Sequence, residues 1–320
     1  MSDLTTDLKS LHEATLNNLK NSKANNTLRA YKSDFKDFGS FCVKHGLNSL
    51  PTEPKIVSIY LTHLSKSSKI STLRRRLVSI SMVHKLKGHY LDTKHPIIVE
   101  NLLGIRRFKG SIQKGKKPIL INHLKSIINV INEQKTEEIK KLRDKSILLI
   151  GFGGGFRRTE LISVDYEDLE FVPEGLKITI KRSKTDQFGE GMNKGLPYFN
   201  NETYCPVKNL KKWLEISKIE SGPIFRRFSK GLSLTDKRLT DQSVVLLMKE
   251  YLDLAGIENK NFAGHSLRSG FATVAAESGA DERSMGRCLP AIARRSDWHG
   301  GEHRNLHGGC RGKIPRGDSR

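Results

Sequence analysis

Residues 265–279 read HSLRSGFATVAAESG. The stretch has the apolar period of an amphipathic helix, and its mouth carries His265 and Arg268 three positions apart, one turn on the same face. A helix start that offers an imidazole and a guanidinium together suits a phosphodiester. The guanidinium presents planar, paired donors to non-bridging oxygens, and the imidazole exchanges a proton or holds an oxygen.

Two further places supply groups for the same chemistry. Gly153, Gly154 and Gly155 run into Arg157, Arg158 and Glu160 at another helix start, and Lys184 lies in a polar strand–turn segment further on. Each alone is ordinary. Arginines near glycines are common, a lysine in a turn faces solvent, and a histidine at a helix start is more often a cap or a core residue. Taken together, two arginines, a lysine and a histidine suit phosphoryl transfer without a metal. No carboxylate pair or Cys–His cluster offers a divalent-ion site, and neither metal nor cofactor is expected. In this reading the arginines stabilise charge as it builds on the phosphate, and the lysine protonates the departing oxygen.

The bulk composition points the same way. A net charge of +22 over 320 residues calls for a polyanionic partner, because Lys and Arg that neutralise phosphates release condensed counterions. The bland alternative is a solvated basic surface. An anionic membrane would need a basic amphipathic segment, and none stands out. No apolar run is long enough to cross a bilayer and the N-terminus lacks a secretory layout, so a cytoplasmic location is expected. Cys42, Cys205, Cys288 and Cys310 form no CxxC pair, which argues against zinc or a disulfide framework.

The chain is long enough for two domains. Leu28, Tyr31, Phe35, Phe38 and Cys42 form a helical stripe over residues 27–45, with Asn26 or Thr27 as its cap. A second helix fits residues 53–66 through Val57, Tyr60, Leu61 and Leu64. A third begins at a Ser71 cap and faces Leu73, Leu77 and Ile80 inward. Its first turn holds Arg74, Arg75 and Arg76, where the helix dipole gives cations no help, so a phosphate partner or a solvated face explains them. Residues 1–107 thus read as an all-helical basic module. Residues 108–118, FKGSIQKGKKP, contain Lys109, Lys114, Lys116 and Lys117 without apolar periodicity and read as a basic linker along a phosphate backbone. From Ile119 the pattern becomes α+β and mainly helical. Strands are expected in LKITIKRSK and GLPYFN around a turn-rich TDQFGEGMNK, forming a small antiparallel sheet.

At these residues the chain resembles the tyrosine recombinase (phage integrase) family. GGGFRRTEL is similar to its first box, which makes Arg157 the catalytic arginine, Glu160 its structural acid and Arg158 a variable neighbour. KRSKTD resembles the hairpin that carries the family's lysine, matching Lys184. HSLR matches the second box with His265 and Arg268, and NTLRAYKSDFKDFGSFC resembles the start of the N-terminal domain. The resemblance covers about residues 20–284. It implies an all-α core-binding (SAM-like) domain over 1–107 and a mainly helical α+β catalytic domain over 119–284. It further implies a clamp on double-stranded DNA, a tetramer on paired sites and a 3′-phosphotyrosine intermediate.

The chain departs from the family pattern at the nucleophile. The last tyrosine, Tyr251, precedes the second box, and Trp298 and His299 fall too late for the family's second histidine or its substitute. Residues 285–320 turn rich in Gly and Arg. They read either as a poorly ordered basic tail or as an out-of-frame translation, since codons for Leu289–Arg295 can also spell Thr-Gly-His-Arg-Ser-Thr. Three functions follow from this: a recombinase by descent that lacks its own nucleophile, a non-catalytic DNA-binding protein at recombination sites, or an enzyme completed by a tyrosine donated in trans. A type IB topoisomerase is a more distant alternative, against which the compact helical N-terminal region argues.

Overall fold

The structure is a computed structural model that describes residues 7–11, 13–15, 18, 25–110, 115–181 and 191–279. Backbone contacts divide the chain into two compact units, Met1–Lys114 and Gly115–Arg320. Lys114, Lys184 and the whole 285–320 tail with Trp298 and His299 lie outside the described residues.

The first unit is built on four helices: α1 (Asn25–Lys44), α2 (Pro54–Ser65), α3 (Ile70–Leu86) and α4 (Pro96–Lys109). Phe38, Cys42, Val57, Tyr60, Leu61, Leu73, Ile80 and Ile98 are its fully buried apolar side chains. Helix α1 packs on α3, and α2 on α4. Of the expected α1 stripe, Phe38 and Cys42 lie in the core and Phe35 packs against it, whereas Leu28 and Tyr31 are half-buried outside the cluster; the helix ends also differ. Helix α1 is already helical at Asn25, and α3 begins at Ile70 with Lys69 in the capping position, so Ser71 lies inside the helix and caps nothing. Helix α4 runs to Lys109, two residues into the segment read as linker.

The stripe also contains a carboxylate. Asp34 is buried on α1, where it receives the guanidinium of Arg75, the Ser79 hydroxyl at 2.8 Å and Arg76 Nε at 3.3 Å. Arg76 also pairs with Asp37 at 3.2 Å. Two of the three arginines at the α3 start are therefore neutralised within the unit, and Arg74 alone of the three points away, exposed.

The second unit wraps around α6 (Glu138–Gly153), a helix buried continuously from Leu142 to its end. A helix buried on every face belongs at the centre of a domain, and here it carries the buried polar groups Arg143, Asp144, Lys145 and Ser146 as well as apolar ones. Against it pack α5 (Ile121–Glu133), α7 (Arg158–Ser163), α8 (Pro206–Ser217), α9 (Asp241–Leu254) and α10 (Ser266–Glu277). An antiparallel sheet in the order β1 (Leu169–Val172), β2 (Gly175–Ile180), β3 (Met192–Pro197) covers one side, and β4 (Arg226–Phe228) pairs with β5 (Leu234–Arg238). The fold class is the expected one, a helical domain followed by a mainly helical α+β domain with a small antiparallel sheet.

Helix α10 is seated by backbone contact. Lys117 N–H donates to Asn261 O at 2.7 Å and Ile119 N–H to Ser266 O at 2.9 Å, so residues 117–119 lie along the start of the helix. Gly270 makes this closeness possible, because a Cβ there would sit 1.8 Å from Ile119 O. The Gly270→Ala variant should therefore displace α10 and lower stability by roughly 1–3 kcal/mol in urea unfolding. Gly39→Ala, in α1 with nothing within 4 Å of the new methyl, should instead stabilise by about 0.5–1 kcal/mol. Equal effects from the two variants would refute the tight seat.

Candidate active site

Helix α6 ends in glycines, and the turn that follows delivers Arg157. Gly155 has φ of +53°, a left-handed conformation that glycine adopts without strain, and a Cβ there would meet Phe271 Cδ1 at 2.4 Å. The chain reverses at this point and α7 begins. Glu160, in the first turn of α7, accepts the Arg157 backbone N–H at 2.9 Å. The same carboxylate holds Arg157 Nη1 at 2.5 Å and lies 4.0 Å from Arg268 Nη1. Glu160 is buried, while the Arg157 and Arg268 side chains are 20% and 40% exposed. Both guanidinium groups thus keep surface toward solvent while a buried anion fixes their inner edges.

Arg268 is tied a second time. Its Nη1 donates to Gly155 O at 2.6 Å, which joins α10 to the turn before Arg157. Burial, and then the neighbouring Arg157 charge, lower its pKa, with Glu160 opposing them. Two cations held close by one carboxylate leave a net positive site that a tetrahedral anion would neutralise.

The expected site residues do not all come together. Arg157, Glu160 and Arg268 come together as described. His265 stands exposed at the N-cap of α10, one turn before Arg268, with no hydrogen-bond partner for its ring among the described residues. Lys184 lies outside the described residues. Arg158 turns away from its neighbour: its Nη1 reaches Asp241 at 3.8 Å and Gln242 at 3.4 Å at the start of α9. Lys109 Nζ donates to Ser68 O at 3.1 Å, Lys116 Nζ to Lys260 O at 2.6 Å, and Lys117 is exposed.

The sequence reading missed Lys194. It was placed in the turn TDQFGEGMNK, whereas β3 begins at Met192 and carries Lys194 inward. Its Nζ donates to Gly154 O at 2.6 Å and lies 5.0 Å from the Phe156 ring centroid. Burial, then Arg268, push its pKa down to about 8; Glu160 opposes the shift and Arg157 adds to it. The signal was available in the alternation of β3, since Lys194 shares a face with Leu196 and pairs with Ile178.

Tyr251 is equally well placed, but in the core. Its hydroxyl donates to Asp144 Oδ2 at 2.8 Å and accepts from Lys140 Nζ at 3.1 Å, and Arg143 holds the other Asp144 oxygen at 2.7 Å. Burial and the Asp144 charge raise its pKa, so the hydroxyl keeps its proton. It joins α9 to α6 and is closed to any substrate.

The chain is similar to known proteins over most of its length. The phage integrase family model matches residues 119–289. The integrase/recombinase xerD homolog of Selenomonas ruminantium is 41% identical over 272 residues, covering 84% of this chain and 79% of that protein. The tyrosine recombinase XerC of Leptospira interrogans is 26% identical over 266 residues, 82% of this chain and 78% of its own. Among solved structures, the XerH site-specific recombinase in a post-cleavage complex with palindromic difH substrate aligns with a TM-score of 0.55 at 16% identity, covering 73% of this chain and 64% of that one. A lambda integrase dimer bound to a COC′ core site aligns at 0.54 with 15% identity, over 89% of this chain and 75% of that one. These two structures share the fold.

Two stability effects follow from the site's charges. Glu160→Gln leaves Arg157 and Arg268 without their anion and should cost about 3–5 kcal/mol in urea unfolding, as expected for a broken buried pair. Lys194 binds its proton less tightly folded than unfolded, so the unfolded chain carries more protons between about pH 8 and the ordinary lysine value of 10.5. Wild-type stability should therefore rise with pH across that window relative to Lys194→Met, by up to roughly 3 kcal/mol. A constant difference between the two proteins from pH 7 to 10 would show that Lys194 is not so shifted.

Proposed function

Because the chain belongs to the phage integrase family of tyrosine recombinases, we propose that it grips the backbone phosphate of double-stranded DNA at a recombination site. The observation that carries this is the convergence of Arg157 and Arg268 on the buried Glu160 carboxylate, with both arginine side chains partly exposed to solvent. In this reading each arginine donates to a non-bridging oxygen of the scissile phosphate, and charge that builds there is met by donors already in place. His265, exposed beside Arg268, holds an oxygen or exchanges a proton. Lys184 protonates the departing 5′ oxygen.

The attacking group is the open part. Residues 252–320 contain no tyrosine, and Tyr251 is locked in the core by Asp144 and Lys140. The chain's own residues therefore bind and polarise the phosphate without displacing its leaving group. We infer a recombinase by descent that forms the phosphotyrosine only with a tyrosine supplied by another polypeptide, and otherwise occupies the site as a DNA-binding protein. Residues 1–107 would serve as the core-binding domain, 108–118 as a linker along the phosphates, and 119–284 as the catalytic domain. Arg74, Lys109, Lys114, Lys116 and Lys117 would contact backbone. Arg75 and Arg76 would do so only by giving up Asp34. The assembly would be a tetramer on paired sites, working in the cytoplasm; among the described residues no helix is long and apolar enough to cross a membrane.

A nicked suicide duplex tests this reading. The chain alone should give no covalent protein–DNA adduct, and Tyr251→Phe should leave that result unchanged. An adduct with the chain alone would overturn the proposal. Addition of an intact relative should produce an adduct on that relative's own tyrosine, and Arg268→Ala in this chain should weaken its share of the complex while far-UV dichroism stays unchanged.

A further inference from the structure

A strand facing a core ordinarily gives its inward positions to apolar side chains, and β3 gives one to a lysine. Lys194 is 5% exposed, pairs across from Ile178 and alternates with Leu196. No carboxylate among the described residues lies within ion-pair distance of its ammonium. Its hydrogen bond goes to Gly154 O, and the face of the Phe156 ring lies beneath its charge. Among the described residues the charged groups that act on it are Arg157 and Glu160 at the start of α7 and Arg268 of α10, and Ile178 of β2 pairs across from it. Among the described residues the locality therefore holds three cations and the Glu160 carboxylate.

This is a poor arrangement for an empty fold. An ammonium taken out of water beside two guanidinium groups loses hydration and gains repulsion. Departures of this kind from the packing rules concentrate where function requires them. The placement of the hydrogen bond says which function. Lys194 holds Gly154 O while Arg268 holds the adjacent Gly155 O, each at 2.6 Å. The two cations thereby clamp consecutive carbonyls of the turn that sets Arg157.

We propose that Lys194 is a positioning residue of the phosphate site: its ammonium fixes the Gly154–Gly155 turn beneath Arg157 and Arg268 and adds its charge to the field a phosphodiester meets, so that anion binding is coupled to one proton. The proposal rests on the phosphodiester reading above. Its sign follows from linkage. A bound anion favours the charged lysine, so it raises the Lys194 pKa, and by reciprocity the anion is held less tightly once the free site has lost that proton. Affinity is full below about pH 8 and falls above it. The neutral amine still donates an N–H to Gly154 O, so the turn persists and the loss is one of charge.

Sulfate is the probe, because this tetrahedral anion keeps its own charge across the range. Binding is followed through the carbon-13 Cζ signals of Arg157 and Arg268 in the full chain, at constant ionic strength made up with sodium chloride. In the wild type the sulfate dissociation constant should rise roughly 3- to 10-fold between pH 7 and pH 9.5. Lys194→Arg, which keeps a charge, should hold the pH 7 affinity throughout. Lys194→Met should show the weakened affinity at every pH; should it fail to fold, the wild type and Lys194→Arg decide the matter alone. A flat wild-type profile, or a Lys194→Arg profile that falls like the wild type's, would overturn the role of Lys194 and leave the phosphate reading standing. No sulfate response at Arg157 and Arg268 at any pH, or an undiminished response elsewhere in Arg268→Ala, would overturn the phosphate reading and the Lys194 role with it.

Discussion

The site depends on one buried carboxylate. Arg157 and Arg268 arrive from helices separated by more than half of the second unit's sequence, and two guanidinium groups brought so close repel each other. Glu160 makes their approach tolerable. It sits out of water, where its attraction for both is least screened. The same carboxylate accepts the backbone N–H of Arg157, the N-cap of α7, so the group that caps the helix also orients the arginine side chain there. A glutamine there would keep part of the cap and lose the charge that permits the pair. Local helix chemistry and long-range site assembly therefore run through a single side chain.

Around that carboxylate the backbone is as restricted as the side chains. The Gly153–Gly155 turn, the seat of α10 on Ile119 and the Phe271 ring over Gly155 form a continuous set of close contacts. They connect the central helix α6 to both arginine-bearing helices. At Gly270 the contact is with the main chain of Ile119, which cannot adjust by changing rotamer, and at Gly155 it is with the Phe271 ring. An added methyl at Gly155 or Gly270 has nowhere to go.

Charge elsewhere in the chain is used in the opposite way. The arginines at the start of α3 looked like phosphate ligands because cations gain nothing from a helix N-terminus. Asp34 supplies the missing reason for two of them, as an inward carboxylate in a stripe read only for its apolar members. Helical periodicity made α1, α2, α3, α5, α6, α8, α9 and α10 legible, since three- and four-residue spacing survives in any sequence that must bury one face. It does not reveal short polar strands. Strands β4 and β5, RRF and LTDKR, have no apolar alternation to find, and β1 is too brief to separate from the helix before it. Lys194 escaped for a related reason: the glycines of the hairpin extended the apparent turn past the true start of β3. The arginines and His265 were legible because their spacing and their glycine neighbours are local. Their convergence on Glu160 was not, because it depends on how α7 and α10 pack.

That packing carries a cost to the empty protein which clarifies what the site is for. Among the described residues Arg157, Arg268 and Lys194 gather around the Glu160 carboxylate, and burial first, then the Arg268 charge, lower the lysine's proton affinity. If stability were the only requirement, an apolar side chain at position 194 would serve β3 better, as Leu196 does two residues later. Retaining an ammonium there makes sense when a second negative charge completes the balance. A phosphate bridging the guanidinium edges would relieve the repulsion that the fold sustains without it. The groups need no rearrangement at that moment, because Glu160 and two glycine carbonyls already hold them. Residues 252–320 contain no tyrosine, and on the proposed reading none of the groups that prepare the phosphate relies on the one that attacks it. Binding and attack would then be separable, with Arg157, Arg268 and Lys194 belonging to the first.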